Sequence, residues 1–222
     1  MDSNESRNES TAYTLMTIEL DDKLAGALAL AVSQHPRANL QQLARAAGTS
    51  KGTLYRICTT REGVIDLLMQ RAERHMREAL EKADLVQPPF AQALHRLTDH
   101  LMTGREFYLF WNAAMWVNLR DAKDHDVKGY APSFFSDALE DFFLRGQKAG
   151  VFRIDMPARW LAKSYDFLLY AAIESAQRGE IATLGMSGIV DKMFLHGASA
   201  EPASANDGVA TLSMSSQAER QI

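Results

Sequence analysis

Cysteine is almost missing from this chain: Cys58 is the single one among 222 residues. An intrachain disulfide is therefore impossible, no metal site can be built on the cysteines of one chain, and a reducing compartment fits. No uninterrupted apolar run approaches the roughly 20 residues that span a bilayer, and the opening MDSNES is not the cationic start of a secretion signal. A cytoplasmic protein with no membrane association is expected. The sequence also has no zinc-protease helix motif, no glycine-rich phosphate loop and no nucleophile elbow. It thus carries no visible apparatus for catalysis, and no cofactor or metal is expected.

Acidic residues are absent from one place above all. Between His35 and Arg61 there is no Asp or Glu, while Arg37, Arg45, Lys51, Arg56 and Arg61 all fall there, in a chain whose net charge is -4. Such a balance excludes a protein that coats nucleic acid over its whole surface and leaves one short positive segment able to meet it.

A hydrophobic fraction of 46% is ordinary for a globular chain, and the apolar residues repeat at helical spacing with almost no period-2 alternation. An all-α fold follows. Helices are predicted over 20–34, 40–47, 51–58, 61–83, 90–102, 105–119, 132–149, 157–179 and 185–195. Pro36 stops the first of them, because proline has no amide hydrogen to continue it. Pro88-Pro89 follow the long fourth one, Gly150 suits a helix end, and Pro157 suits the first turn of the next helix. Residues 1–17 and 198–222 are polar or small in composition and read as disordered tails. Between them, 18–64 reads as a DNA-binding unit and 65–197 as a helical ligand-binding and dimerisation unit.

The segment NLQQLARAAGTSKGTLYR (39–56) carries the strongest local signal. Asn39 can cap one short helix and Ser50 the next, since a side-chain oxygen satisfies an orphan amide at a helix start. Gly48 can supply the left-handed turn between them. Small Ala44 and Ala47 allow the two helices to cross closely. Leu54, Ile57 and Cys58 point inward, which leaves Lys51, Gly52, Thr53, Tyr55 and Arg56 toward solvent. Lys51 and Thr53 are candidates for reading base edges; Tyr55, Arg56, Arg61 and the flanking Arg45 are candidates for phosphates. Ser50 and Gly52 complete the set at the start of the recognition helix, where backbone amides favour phosphate oxygens.

These residues resemble a known family. Leu43 to Gly48, Ser50, Gly52-Thr53-Leu54-Tyr55 and Arg61-Glu62 look like the DNA-binding signature of TetR/AcrR-family regulators, over about residues 20–68. The resemblance implies a three-helix DNA-binding domain, a divergent ligand-binding C-terminal domain, a homodimer, and action mostly as a repressor. The chain departs from the pattern in two places. Val32, Gln34 and His35-Pro36 stand where the family has an aromatic and a glycine, and Ile57-Cys58 stand where it commonly has His-Phe.

The reading is therefore a sequence-specific transcriptional repressor that binds a palindromic double-stranded operator as a homodimer and is released by an apolar or aromatic small molecule. The alternatives are a DNA-binding dimer without a small-molecule ligand and, more remotely, an all-α enzyme. For the effector, the aromatic stretch 107–116 supplies Phe107, Tyr108, Trp111, Asn112, Met115 and Trp116; with Met102, Tyr130 and Tyr170 it could line a cavity for a flat apolar or cationic molecule. The same spacing also suits an ordinary core. Phe134, Phe135, Leu139, Phe142 and Phe143, facing Leu161, Tyr165, Leu168 and Leu169, exceed one apolar stripe and are assigned to the subunit interface. The cluster Asp121, Asp124, His125 and Asp126 reads as a hydrated acidic loop, and His95, Asp99 and His100 make no known metal spacing.

Overall fold

Asp21 opens the first helix by accepting from the amides of Lys23 (2.8 Å) and Leu24 (3.0 Å), and from there the described chain is helical almost throughout. The computed structural model describes residues 20–116 and 132–200. In order the helices are α1 (Asp22–Gln34), α2 (Leu40–Ala46), α3 (Lys51–Ile57), α4 (Arg61–Ala83), α5 (Phe90–Thr103), α6 (Arg105–Trp116), α7 (Ser133–Lys148), α8 (Ala158–Gln177) and α9 (Met186–Ala198). The fold is all-α; the one departure among the described residues is an isolated bridge between Phe152 and Ser199. No helix among them is long and apolar enough to cross a membrane. The first expected tail, the second one beyond residue 200, and the Asp121–Asp126 cluster lie outside the described residues. The expected start of the second tail at 198 is too early, since Ala198 ends α9 and Ser199 and Ala200 pair with the 151–152 connector.

The predicted boundaries hold to within a few residues, for the reasons the sequence offered. α1 ends at Gln34 before Pro36, α4 ends at Ala83 with Asp84 in a left-handed conformation, and α7 is followed by Gly150 at φ 72°. Pro157 stands at the N-cap of α8 rather than inside its first turn. Either place suits a residue with no amide hydrogen to lose.

α1 packs on α6 and α2, α4 against α5 and α6, and α7 pairs with α8. α4 therefore runs from the end of the helix-turn-helix into the C-terminal helices. The connector after α7 does more than turn the chain. Phe152 is fully buried, with its ring centroid 5.6 Å from Phe142 and 5.0 Å from Phe143. Phe90 on α5 and Phe194 on α9 join the same aromatic cluster.

That cluster corrects the interface assignment. Phe135, Leu139, Phe142, Phe143, Leu161, Tyr165 and Leu169 are each 2% exposed or less within one chain. Phe134 and Leu168 are half-buried, and the Arg77 guanidinium lies 3.8 Å from the Phe134 ring centroid. A side chain with no surface of its own has none to lend to a partner. The apolar surplus of α7 and α8 is taken up by Phe152 and α9 of the same chain.

Candidate nucleic-acid interface

The helix-turn-helix is held by local chemistry at each end. Asn39 accepts from the Gln42 amide (3.0 Å) while the Gln42 side chain accepts from the Asn39 amide (2.9 Å), so α2 starts on a reciprocal capping box. Gly48 takes φ 70°, a region that costs other residues a clash with their own Cβ. Ser50 accepts from the Thr53 amide at 3.0 Å. Leu43, Ala44 and Leu54 are buried between the two helices, and Ile57 and Cys58 are half-buried behind them.

With Leu54 inward, α3 presents Lys51, Gly52, Tyr55 and Arg56 as exposed residues, with Thr53 half-buried. Lys51 Nζ lies 5.1 Å from the Tyr55 ring centroid, so the two side chains one turn apart form a cation–π pair. The Thr53 and Ser50 hydroxyls are 2.9 Å apart. Arg45 is exposed on α2. Among the described residues Arg37, Arg45, Lys51 and Arg56 have no carboxylate partner. Their charge is thus available to an anion.

Among the described residues, Arg61 alone of the expected phosphate contacts also has backbone partners for its side chain. Its Nε donates to the Ala38 carbonyl at 3.1 Å and its Nη2 donates to the Pro36 carbonyl. The side chain is three-quarters covered. Two of its donor positions hold the turn between α1 and α2, so Arg61 positions that turn in addition to carrying charge at the start of α4. Sequence spacing places a cation there but cannot show a partner 23 and 25 residues away.

Among the described residues the expected effector residues are divided between the core and a surface cleft. Tyr108, Trp111 and Asn112 are buried, and Met102, Met115 and Tyr170 are half-buried against the core. Asn112 donates to the Tyr108 carbonyl one turn back (3.0 Å), which uses one of its two amide hydrogens. Phe107 faces elsewhere, into a cleft shared by α1, α4 and the α5–α6 corner. Tyr130 and the side chain of Trp116 lie outside the described residues. Trp111 Nε1 is buried without a hydrogen-bond partner among the described residues.

Sequence reasoning missed two buried polar groupings and one half-buried histidine. Asp191 on α9 accepts from Thr98 Oγ1 (2.7 Å) and bonds the His95 ring, and Thr98 Oγ1 lies 3.0 Å from the Tyr165 hydroxyl. The Asp191 hydrogen bond raises the His95 pKa. Tyr108 donates to the Asp166 carboxylate, and burial pushes Asp166 up to about 6. His75 packs beside Gly104 and Phe107, where burial lowers its pKa. The pattern i, i+3, i+4 shows one helix at a time, and each grouping joins two or three.

A capped two-helix unit with an exposed, unpaired cationic face, leading through one long helix into a larger helical body, defines a helix-turn-helix transcriptional regulator. Comparison with known proteins carries this further. No family model matches the chain. The HTH-type transcriptional regulator NfxB of Pseudomonas aeruginosa is 36% identical over 182 residues, covering 82% of this chain and 96% of NfxB. Among solved structures, the TetR-like regulator LfrR of Mycobacterium smegmatis superposes with a TM-score of 0.59 at 17% identity, over 79% of this chain and 93% of LfrR. LfrR in complex with proflavine gives 0.55 at 20% identity over the same shares. The fatty acid degradation regulator FadR of Bacillus halodurans gives 0.53 at 17% identity, over 79% of this chain and 94% of FadR. These structural likenesses show the fold. The chain belongs with NfxB to the HTH-type transcriptional regulators, and its fold is TetR-like.

Proposed function

We propose that the protein is a homodimeric repressor that reads a palindromic operator and leaves it when an apolar or aromatic small molecule binds. The exposed cationic face of α3, unpaired among the described residues, is the observation that carries the DNA half of this reading. Residues 18–64 form the DNA-reading part and 65–197 the sensing and dimerising part. Lys51 and Thr53 read base edges. Tyr55, Arg56 and Arg45 bind phosphates, with Ser50 and Gly52 at the helix start.

The dimer face is drawn from apolar side chains left exposed. Trp160 on α8 is 55% exposed, and Ile189 and Met193 on α9 are 42% and 63% exposed. Ile189 and Met193 stand four residues apart and share a helix face. Exposed large apolar residues on the packed helices α8 and α9 suit a subunit contact.

Release runs through α4, which joins α3 to the packing of α5 and α6. A ligand that prefers an arrangement with misplaced recognition helices shifts the population away from DNA. The LfrR complex with proflavine favours a flat aromatic molecule as effector, and the orphan Trp111 Nε1 offers a donor to an acceptor atom on it. The core-like burial of Tyr108, Phe110 and Trp111 favours the second reading, a DNA-binding dimer without a small-molecule ligand. Titrating proflavine into the protein bound to its selected operator separates the two. Release that saturates with proflavine and follows its binding supports the effector reading; binding of proflavine with unchanged operator affinity contradicts it for this ligand class.

A further inference from the structure

The turn between α1 and α2 is built around Arg37. Arg61 binds the carbonyls of Pro36 and Ala38 on either side of it, and the Ala38 amide donates to the His35 carbonyl at 3.0 Å. The turn is therefore held from both flanks. Arg37 itself is exposed, with no hydrogen bond or ion pair among the described residues. A guanidinium carried on an ordered turn loses less freedom on binding than one on a loose loop.

Beside that turn lies a cleft of about 680 Å³ lined by Pro36, Ala38 and Ala46, with His35, Arg37, Gln42 and Arg45 as its polar groups and no carboxylate. Gln42 Oε1 is engaged at the Asn39 amide, which leaves its NH₂ group as a donor. Apolar lining together with two guanidinium groups and an amide donor matches one common chemistry. Deoxyribose offers apolar edges, and the phosphates on either side of it offer anionic oxygens that guanidinium binds in bidentate fashion. Arg45 precedes the recognition helix by the short turn 47–50, so the cleft belongs to the same unit that enters the groove.

We propose that this cleft is a sugar–phosphate anchor for operator DNA, with Arg37 and Arg45 as its phosphate contacts and Arg61 as the residue that positions Arg37. The inference rests on the DNA-binding reading above, which already gives Arg45 to a phosphate, and adds to it Arg37 and the cleft that joins the two. Its role is affinity and register, since phosphate contacts orient a protein on the duplex without reading sequence.

The test uses the full-length protein, an operator duplex selected from a random pool and a scrambled duplex of the same length, with affinity followed by fluorescence anisotropy across a KCl series. Arg37→Gln and Arg45→Gln should each weaken binding to both duplexes about threefold to tenfold near 0.1 M salt and each lower the salt slope by about 0.9. The double variant should lose nearly twice that slope, and Arg37→Lys should restore it. Chemical ethylation of the duplex phosphates should interfere with the unmodified protein at positions where it no longer matters to the double variant. Circular dichroism melts verify that the variants remain folded. Binding by the unmodified protein with an unchanged slope in a folded double variant overturns the anchor alone. A loss confined to the operator duplex assigns the two arginines to base reading and also overturns it. Failure of the unmodified protein to bind either duplex overturns the DNA reading, and the anchor with it.

Discussion

The Tyr108 hydroxyl on α6 donates to the Asp166 carboxylate on α8 and lies 3.0 Å from the Asp166 carbonyl, with both residues buried. The pair joins two helices of the proposed sensing part through a carboxyl group that burial holds at about 6, well above its usual range, while the Tyr108 bond pulls it down. Burying a carboxylate with one hydroxyl for company leaves most of its desolvation uncompensated.

Because the folded pKa of Asp166 exceeds that of the unfolded chain, the folded state binds more protons between the two values. Stability contributed by this group is therefore present in acid and is lost as pH rises from about 4 through about 6. Asp166→Asn should remove that dependence. In urea denaturation, the stability of Asp166→Asn relative to the unmodified protein should rise between pH 4 and pH 7 by up to about 3 kcal/mol. Parallel pH profiles for the two proteins contradict the assignment.

Gly104 separates α5 from α6 because nothing larger fits: a Cβ there would fall 2.5 Å from His75 Cε1 on α4. Gly104→Ala is expected to destabilise the protein by about 1–3 kcal/mol, as overpacking does. His75→Ala should relieve most of that loss in the double variant. A double-mutant cycle by thermal or urea denaturation reads the coupling, and additive losses show that the two residues do not meet.

Arg61→Ala removes two hydrogen bonds to the α1–α2 turn, and the expected cost is about 1–3 kcal/mol of stability without any DNA present. A side chain whose only work was to touch phosphate would leave the melting of the free protein unchanged. The calorimetric melt of the DNA-free variant therefore tests the positioning role, and an unchanged melt contradicts it.

Lys51→Ala and Arg56→Ala should differ in kind. Loss of a base reader costs about 1–3 kcal/mol on the operator and relaxes preference at one position, while loss of a phosphate contact weakens all duplexes about equally. Competition between operator and random duplexes measures both. Equal losses on the two duplexes for Lys51→Ala end its role as a base reader.

Where the sequence was legible, the information was local. Asn39, Gly48, Ser50 and Pro36 act on the chain within four residues of themselves, so helix starts and stops could be read from them, and the inward Leu54 followed from spacing alone. What was not legible depends on distant parts of the chain. The phenylalanines of α7 read as an interface because their surplus was visible and its cover was not: Phe152 arrives from a connector and Phe194 from the last helix. The charge of Arg61 was visible in the sequence, and the two carbonyls it binds were not. Asp166 drew no notice as one acid among 28 Asp and Glu residues, and only the placement of Tyr108 opposite it makes it unusual.

The account rests on α3 reading a symmetric DNA site, and selection from a random duplex pool by the full-length protein at fixed salt tests that most directly, with Tyr55→Ala/Arg56→Ala as the control. Enrichment of a palindrome that the unmodified protein binds and the folded double variant does not is the predicted result. Absence of enrichment, or equal retention of the same sequences by the double variant, contradicts it.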